Sequence, residues 1–264
     1  MGKFTPIKTV TSPIEIIERC RLIKNRFFPK GEKSAFVILD LETTGLSAQE
    51  DWPIEVAALF VTSYNGDYQV VHSFHSYFDW IGSGLADPML FKSRLNKTNV
   101  AMRERDPGVH RMEASELQAI GKNPNQIMVD LGYLMRDFFS KMGGECRTAI
   151  CGHNVFAFDA NFLHHNFARM GVLSPVIPSM LDTGLIVKAA QVQDERVAIN
   201  DSTQLIDWIQ EVKNLRASVK WALHKFCGPT FNIQARLPKH VLDMPHSALT
   251  DAWSVLALMQ LFDS

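Results

Sequence analysis

The order of elements along this 264-residue chain predicts an α/β protein with a mixed central sheet flanked by helices. Two observations carry the prediction. Three apolar, β-rich runs come first, at 35–42, 53–63 and 68–78, and Asn65-Gly66 joins the second to the third with residues that tolerate the positive φ of a tight hairpin turn. From residue 126 onward helical and strand patterns alternate, as they do where helices cover the faces of a sheet. The first two runs are expected to pair antiparallel as well.

Taken in order, the chain opens with a helix start, in which Ser12 is the N-cap, Pro13 the first helical residue and Glu15 the third. Ile16, Cys20, Ile23 and Phe27 recur at helical spacing, and Pro29 ends the segment. Its polar side is expected to carry Arg19, Arg21, Lys24 and Arg26, so residues 1–34 read as an N-terminal helical extension that docks on the domain or on a protein partner. After the three strands, residues 80–110 combine Gly82, Gly84, Pro88, Pro107 and Gly108 with Lys92, Arg94, Lys97, Arg103 and Arg105, which reads as an irregular basic rim. Helix 126–142, strand 147–151 and helix 157–170 follow. An insertion spans about 188–216, with a helix of its own at 204–212, and helices at 217–226 and 246–262 close the chain. One domain, 35–264, is expected to hold everything after the extension.

Composition narrows the function. The chain is 46% hydrophobic, enough for a full core, and its net charge of -1 excludes a protein that coats nucleic acid by bulk charge, so any such grip must be local. No apolar run reaches 18 residues and the first residues lack a signal-peptide stretch, so a soluble, cytoplasmic protein with no membrane association is expected. Cys20, Cys146, Cys151 and Cys227 show neither paired nor regular spacing, which fits reduced thiols better than disulfides or zinc; a nucleophilic Cys151 is the weaker alternative.

The chemistry concentrates in Phe36-Val37-Ile38-Leu39-Asp40-Leu41-Glu42-Thr43-Thr44-Gly45, an apolar strand ending in two carboxylates two residues apart. Alternation puts Asp40 and Glu42 on one face and Leu41 on the other. Like charges so close repel unless a cation lies between them, and oxygen ligands without thiols or imidazoles suit Mg²⁺ or Mn²⁺. A solvated strand end would carry such acids for no chemical reason, but two further segments each bring an aspartate: His153-Asn154-Val155-Phe156-Ala157-Phe158-Asp159 and Pro245-His246-Ser247-Ala248-Leu249-Thr250-Asp251.

With all three segments in hand the chain resembles the DEDDh, or DnaQ-like, 3′-to-5′ exonucleases, whose motifs occur here in the family's order. Val109-His110-Arg111-Met112, Leu181-Asp182-Thr183 and the stretch from Ala217 to Leu223 are similar to further family segments, and the resemblance spans about 35–262. His153 and Asp159 stand six apart, as in exonuclease-I-like and TREX-like members, whereas replicative proofreading subunits place them five apart. The resemblance implies a ribonuclease-H-like fold and a two-metal hydrolysis that releases nucleoside 5′-monophosphates.

It also implies roles. Asp40, Glu42, Asp159 and Asp251 are the expected ligands of two divalent cations, Asp40 bridging, and His246, five residues before Asp251, is the general base. Thr43, Thr44, Gly45 and Leu46 would grip the terminal nucleotide, Leu46 as an apolar wedge, with His110, Asn154 and Phe158 lining the same site. Phe156 and Phe162 read as core residues, and His72, His75, His164, His165 and His240 as surface or packing residues. The expected partner is the 3′ end of a nucleic acid, DNA favoured. An RNA-trimming exoribonuclease is the nearer alternative, and a binding scaffold without catalysis the more distant one. The short stretch after Asp251 favours a free-standing nuclease over a tethered proofreading subunit.

Overall fold

A computed structural model describes residues 10, 12–105, 112–175, 179–192, 215, 217–228, 238 and 247–264. His110, His246, His240 and the expected 204–212 helix lie outside these residues. Among those described, five strands form one mixed sheet in the order β3-β2-β1-β4-β5, comprising β1 (Ser34–Thr43), β2 (Pro53–Tyr64), β3 (Asp67–Tyr77), β4 (Arg147–Gly152) and β5 (Met180–Asp182). β1 pairs antiparallel with β2 and parallel with β4, β2 pairs antiparallel with β3, and β4 pairs parallel with β5. The hairpin turn is where the sequence puts it, with Asn65 at φ 54° and Gly66 at φ 83°.

β1 lies at the middle of the sheet and its alternation divides the core. Phe36 and Ile38 face one apolar layer; Ala35, Val37, Leu39 and Leu41 face the other. The first layer is closed by α1 (Pro13–Phe27), α6 (Thr183–Gln191), α7 (Val219–Cys227) and α8 (Ala248–Asp263), the second by α2 (Pro88–Arg105), α4 (Pro124–Met142) and α5 (Asp159–Arg169) with the short α3 (Ala114–Ile120). α8 is apolar on nearly every side because β1, β2, α1 and α7 surround it.

Two readings of the sequence are corrected here. Residues 88–105 form an 18-residue helix, not an irregular rim; among its described side chains only Phe91, Leu95 and Asn99 are buried, too narrow a stripe to stand out among polar residues, and the glycines and prolines mark its flanks. Lys24, expected on the polar side of α1, is 3% exposed. Its Nζ lies 2.5 Å from Oδ2 of Asp263, which also accepts the Tyr68 hydroxyl at 2.6 Å. The first and last helices are thereby joined through a buried charge pair, with Arg21 Nε donating to the Phe262 carbonyl at 3.1 Å. Ile16 and Cys20 of α1 belong to the main core, whereas Ile14, Leu22 and Phe27 face outward.

Cys20 and Cys151 are buried free thiols, and burial pushes both thiols up, out of the nucleophilic range. Among the described residues no helix is long and apolar enough to cross a membrane.

Candidate functional site

Three of the four expected acids meet at the end of β1. One carboxylate oxygen from each of Asp40, Glu42 and Asp251 lies within 4.8 Å of the other two, and each residue is half-buried. The fold explains the convergence. Asp40 and Glu42 continue the Phe36–Ile38 face, which is the face α8 covers, and Asp251 stands in the first turn of α8. That turn is set by Ser247, the N-cap, whose hydroxyl accepts the Thr250 N–H at 3.3 Å. The β1–β2 register shifts between Glu42 and Thr43, so the chain leaves the ladder directly after the second acid, as bulges beside functional sites commonly allow.

Asp159 arrives on α5, whose apolar residues pack in the other core layer. It opens α5, is 3% exposed, and its Oδ1 accepts the backbone N–H of Leu41 at 3.0 Å. The carboxylate is therefore fastened to the backbone between Asp40 and Glu42 and lies outside the close trio.

Burial and neighbouring acids dominate the electrostatics of the cluster. Burial, then the charges of Asp251, Asp159, Glu42 and Glu55, hold the Asp40 carboxyl well above the usual range. Asp159 is pushed up to about 7, by burial first, against the Leu41 N–H bond that favours its charged form and with the Asp182 and Asp251 charges. Such a donor set of hard carboxylate oxygens fits an oxygen-seeking divalent cation. A further acid not read from the sequence, Glu55, stands directly across from Glu42 in register and is 3% exposed; His75 Nε2 lies 2.7 Å from its Oε1. His75 is thus a partner of a buried acid as well as a packing residue. Strand pairing brings them together, and β1 alone carries no signal for it.

Asp182 is the other residue whose role the sequence left undefined. Its Oδ1 accepts N–H bonds from Asn154 (2.9 Å), Gly184 (2.9 Å) and Leu185 (3.1 Å), and its Oδ2 accepts from Phe156 at 3.2 Å. One carboxylate caps α6 and shapes the 153–158 loop that delivers Asp159. Asp before Thr-Gly-Leu is an N-cap signal, which was available in the sequence. Asn154 takes φ 69°, a conformation asparagine tolerates, and lies exposed beside the half-buried Phe158, which packs on Phe162 at 4.9 Å. Phe162 is core, but Phe156 is exposed, because the loop turns it outward while its N–H bonds Asp182. Nδ1 of His153 lies 3.0 Å from Thr183 Oγ1; burial holds this imidazole below its ordinary pKa.

The turn after Glu42 is internally bonded. Thr44 N–H donates to the Trp52 carbonyl at 2.9 Å and its hydroxyl accepts the Trp52 N–H at 3.0 Å, while the Thr43 hydroxyl donates to the Gly45 carbonyl. Both threonines are buried. A Cβ on Gly45 would lie 2.4–2.7 Å from the Asp51 carboxylate, so glycine is required by close approach. Leu46 is left 88% exposed at the rim. Arg94 pairs with Asp51 (2.9 Å) and Glu50 (3.2 Å), which fastens α2 to this turn and neutralises a charge expected to face nucleic acid.

No protein-family model and no curated protein matches the chain. Among solved structures it is similar to E. coli exonuclease I in complex with a dA16 oligonucleotide (TM-score 0.53, 16% identity, 86% of this chain and 40% of that one) and with a dT13 oligonucleotide (TM-score 0.52, 15% identity, the same coverage). Exonuclease I in complex with the inhibitor BCBP is a further neighbour (TM-score 0.50, 14% identity, 86% and 41%). The chain thus spans about two-fifths of the length of these proteins. The likeness is one of fold and agrees with the ribonuclease-H-like mixed sheet expected from the motifs.

Proposed function

We propose that this protein is a metal-dependent 3′-to-5′ exonuclease that releases nucleoside 5′-monophosphates from nucleic acid 3′ ends, DNA in preference to RNA. The observation that carries the reading is the convergence of Asp40, Glu42 and Asp251 within 4.8 Å at the end of a central strand, with the buried Asp159 bonded to the Leu41 N–H of that strand. These four acids would hold two divalent cations, Mg²⁺ or Mn²⁺. Bound there, the cations would supply an activated water, neutralise a nonbridging oxygen and stabilise the departing 3′-oxygen.

The chain's own residues do the remainder. His246, in the segment leading into α8, takes the proton from the attacking water, a role worth about 10² to 10⁴ in rate. Leu46, projecting beyond the bonded turn of Thr43, Thr44 and Gly45, offers an apolar surface to the terminal bases, with Asn154 and Phe158 as a further wall; a role for His110 at the scissile end rests on the sequence resemblance alone. The deoxyoligonucleotides bound to the structural neighbours support DNA as the first substrate to test.

The test uses 5′-labelled single-stranded DNA, duplex DNA and RNA of one sequence with Mg²⁺ or Mn²⁺. Stepwise shortening from the 3′ end, abolished by EDTA, is expected, fastest on DNA. Cleavage of a circular single strand, or activity indifferent to chelation, overturns the reading; faster loss of RNA replaces the substrate.

A further inference from the structure

Two arginines meet the buried indole of Trp52, and they differ in their partners. Arg94, with Cζ 5.8 Å from the ring centroid, is consumed by Asp51 and Glu50. Arg169, at the last position of α5, lies with Cζ 5.5 Å from the Trp52 centroid and 5.3 Å from that of Trp80. Both rings are held. Trp80 is 1% exposed with Nε1 donating to the Pro53 carbonyl at 2.6 Å, and Trp52 is 4% exposed with its backbone bonded twice to Thr44.

Among the described residues Arg169 has no ion pair and donates no hydrogen bond, although its side chain reaches the surface. Partial burial lowers its pKa and no neighbouring carboxylate raises it. A guanidinium stacked on aromatic faces is fixed in orientation while its in-plane N–H groups remain open, and that fork matches the oxygens of a phosphate. Its position is tied to the acids at two points. α5 carries Asp159 at its first residue and Arg169 at its last, about 15 Å apart along the axis. Trp52 is bonded to Thr44, two residues beyond Glu42.

We infer that Arg169, stacked on Trp52 and Trp80, is a phosphodiester-binding site for the body of a single-stranded oligonucleotide whose end lies at the acid cluster. The direction of the strand rests on the nuclease reading; the anion site does not. The grip is one preoriented charge that lies outside the 92–105 helix surface.

The experiment measures binding of a fluorescent 12-nucleotide single strand in EDTA across a range of KCl, with no turnover. Arg169→Gln is expected to weaken binding several-fold at low salt and to flatten the log–log salt slope by about 0.7, one phosphate contact on a single strand. Arg169→Lys should keep the slope and bind more weakly than wild type, having the charge without the fork. Wild-type affinity and slope in Arg169→Gln overturn the proposal. If Arg169→Gln fails to fold, Arg169→Lys decides: weaker binding at unchanged slope supports the site and wild-type affinity overturns it. In a parallel arm, inorganic phosphate that raises the Tm of wild type but not of Arg169→Gln, with an unchanged DNA slope, assigns the site to a free ion and overturns the strand. A protein that binds with an Arg169-dependent slope yet hydrolyses nothing in Mn²⁺ overturns the nuclease reading and leaves this site standing.

Discussion

The Leu41 backbone N–H donates to Oδ1 of Asp159 at 3.0 Å, joining the strand that carries Asp40 and Glu42 to the first residue of α5. Leu41 separates the two strand acids, its side chain in one core layer and theirs toward the other. Its N–H therefore fastens the acid arriving from the opposite layer at a fixed height beside them. This contact and the first turn of α8 bring carboxylates from three elements to the same strand end.

Neutralising a member of the cluster should separate stability from function. Asp40→Asn and Asp251→Asn are each expected to raise the Tm of the metal-free protein, since each removes like-charge repulsion, and to leave less than about a tenth of the wild-type rate, since losing a metal ligand costs several kcal/mol of catalysis. Thermal melts in EDTA and rates in saturating Mn²⁺ check both. An active variant rejects that residue as a ligand.

The raised carboxylates set a pH dependence with a definite sign. Asp159 titrates near 7 in the folded protein and near 4 unfolded, so the folded state binds the extra proton. The stability so contributed is complete below about pH 4 and is lost as pH rises to 7, and Asp40 shifts in the same direction. Metal-free protein should melt lower at pH 8 than at pH 5.5 from these groups, and a divalent cation should raise Tm much more at pH 8, because ligands must be deprotonated to bind. An equal increment at both pH values contradicts the assignment.

Asp182→Ala leaves four backbone N–H groups without their acceptor. A lost cap and strained loop should cost about 2–4 kcal/mol. The loop positions Asp159, so turnover should fall further than the loss of folded protein explains, with a raised Mn²⁺ requirement as the readout. Unchanged stability would show that water replaces the carboxylate.

Gly45→Ala places a methyl group against the Asp51 carboxylate and should disturb both the Thr44–Trp52 bonds and the Arg94–Asp51 pair. About 1–3 kcal/mol is expected, as for overpacking elsewhere. Neutralising Lys92 and Lys97 instead, which are exposed on α2, should flatten the salt dependence of strand binding by more than Arg94→Ala does, because Arg94 already has two acidic partners. Salt titrations of the separate variants decide the comparison.

If His246 is the general base proposed above, His246→Ala should reduce turnover by about 10² to 10⁴ while metal affinity, read by calorimetry, stays near wild type, because a base moves a proton and is not a ligand. Partial rescue at higher pH is expected. A large loss of metal affinity makes His246 a ligand instead.

The sequence alone determined the sheet-first order, the Asn65-Gly66 hairpin, the shared face of Asp40 and Glu42 and the three acidic segments, since each follows from a local period or turn preference. The 88–105 helix was not legible because its buried stripe is so narrow, and α6 was missed although Asp182 announces its start. What only the tertiary structure decided is which groups meet. Strand pairing set Glu55 opposite Glu42, the packing of α8 brought Asp251 within 4.8 Å of β1, and the α2 contact took Arg94 out of service while leaving Arg169 open. Such pairings depend on contacts between residues tens to hundreds of positions apart, and no local pattern along the chain encodes a charge's partner.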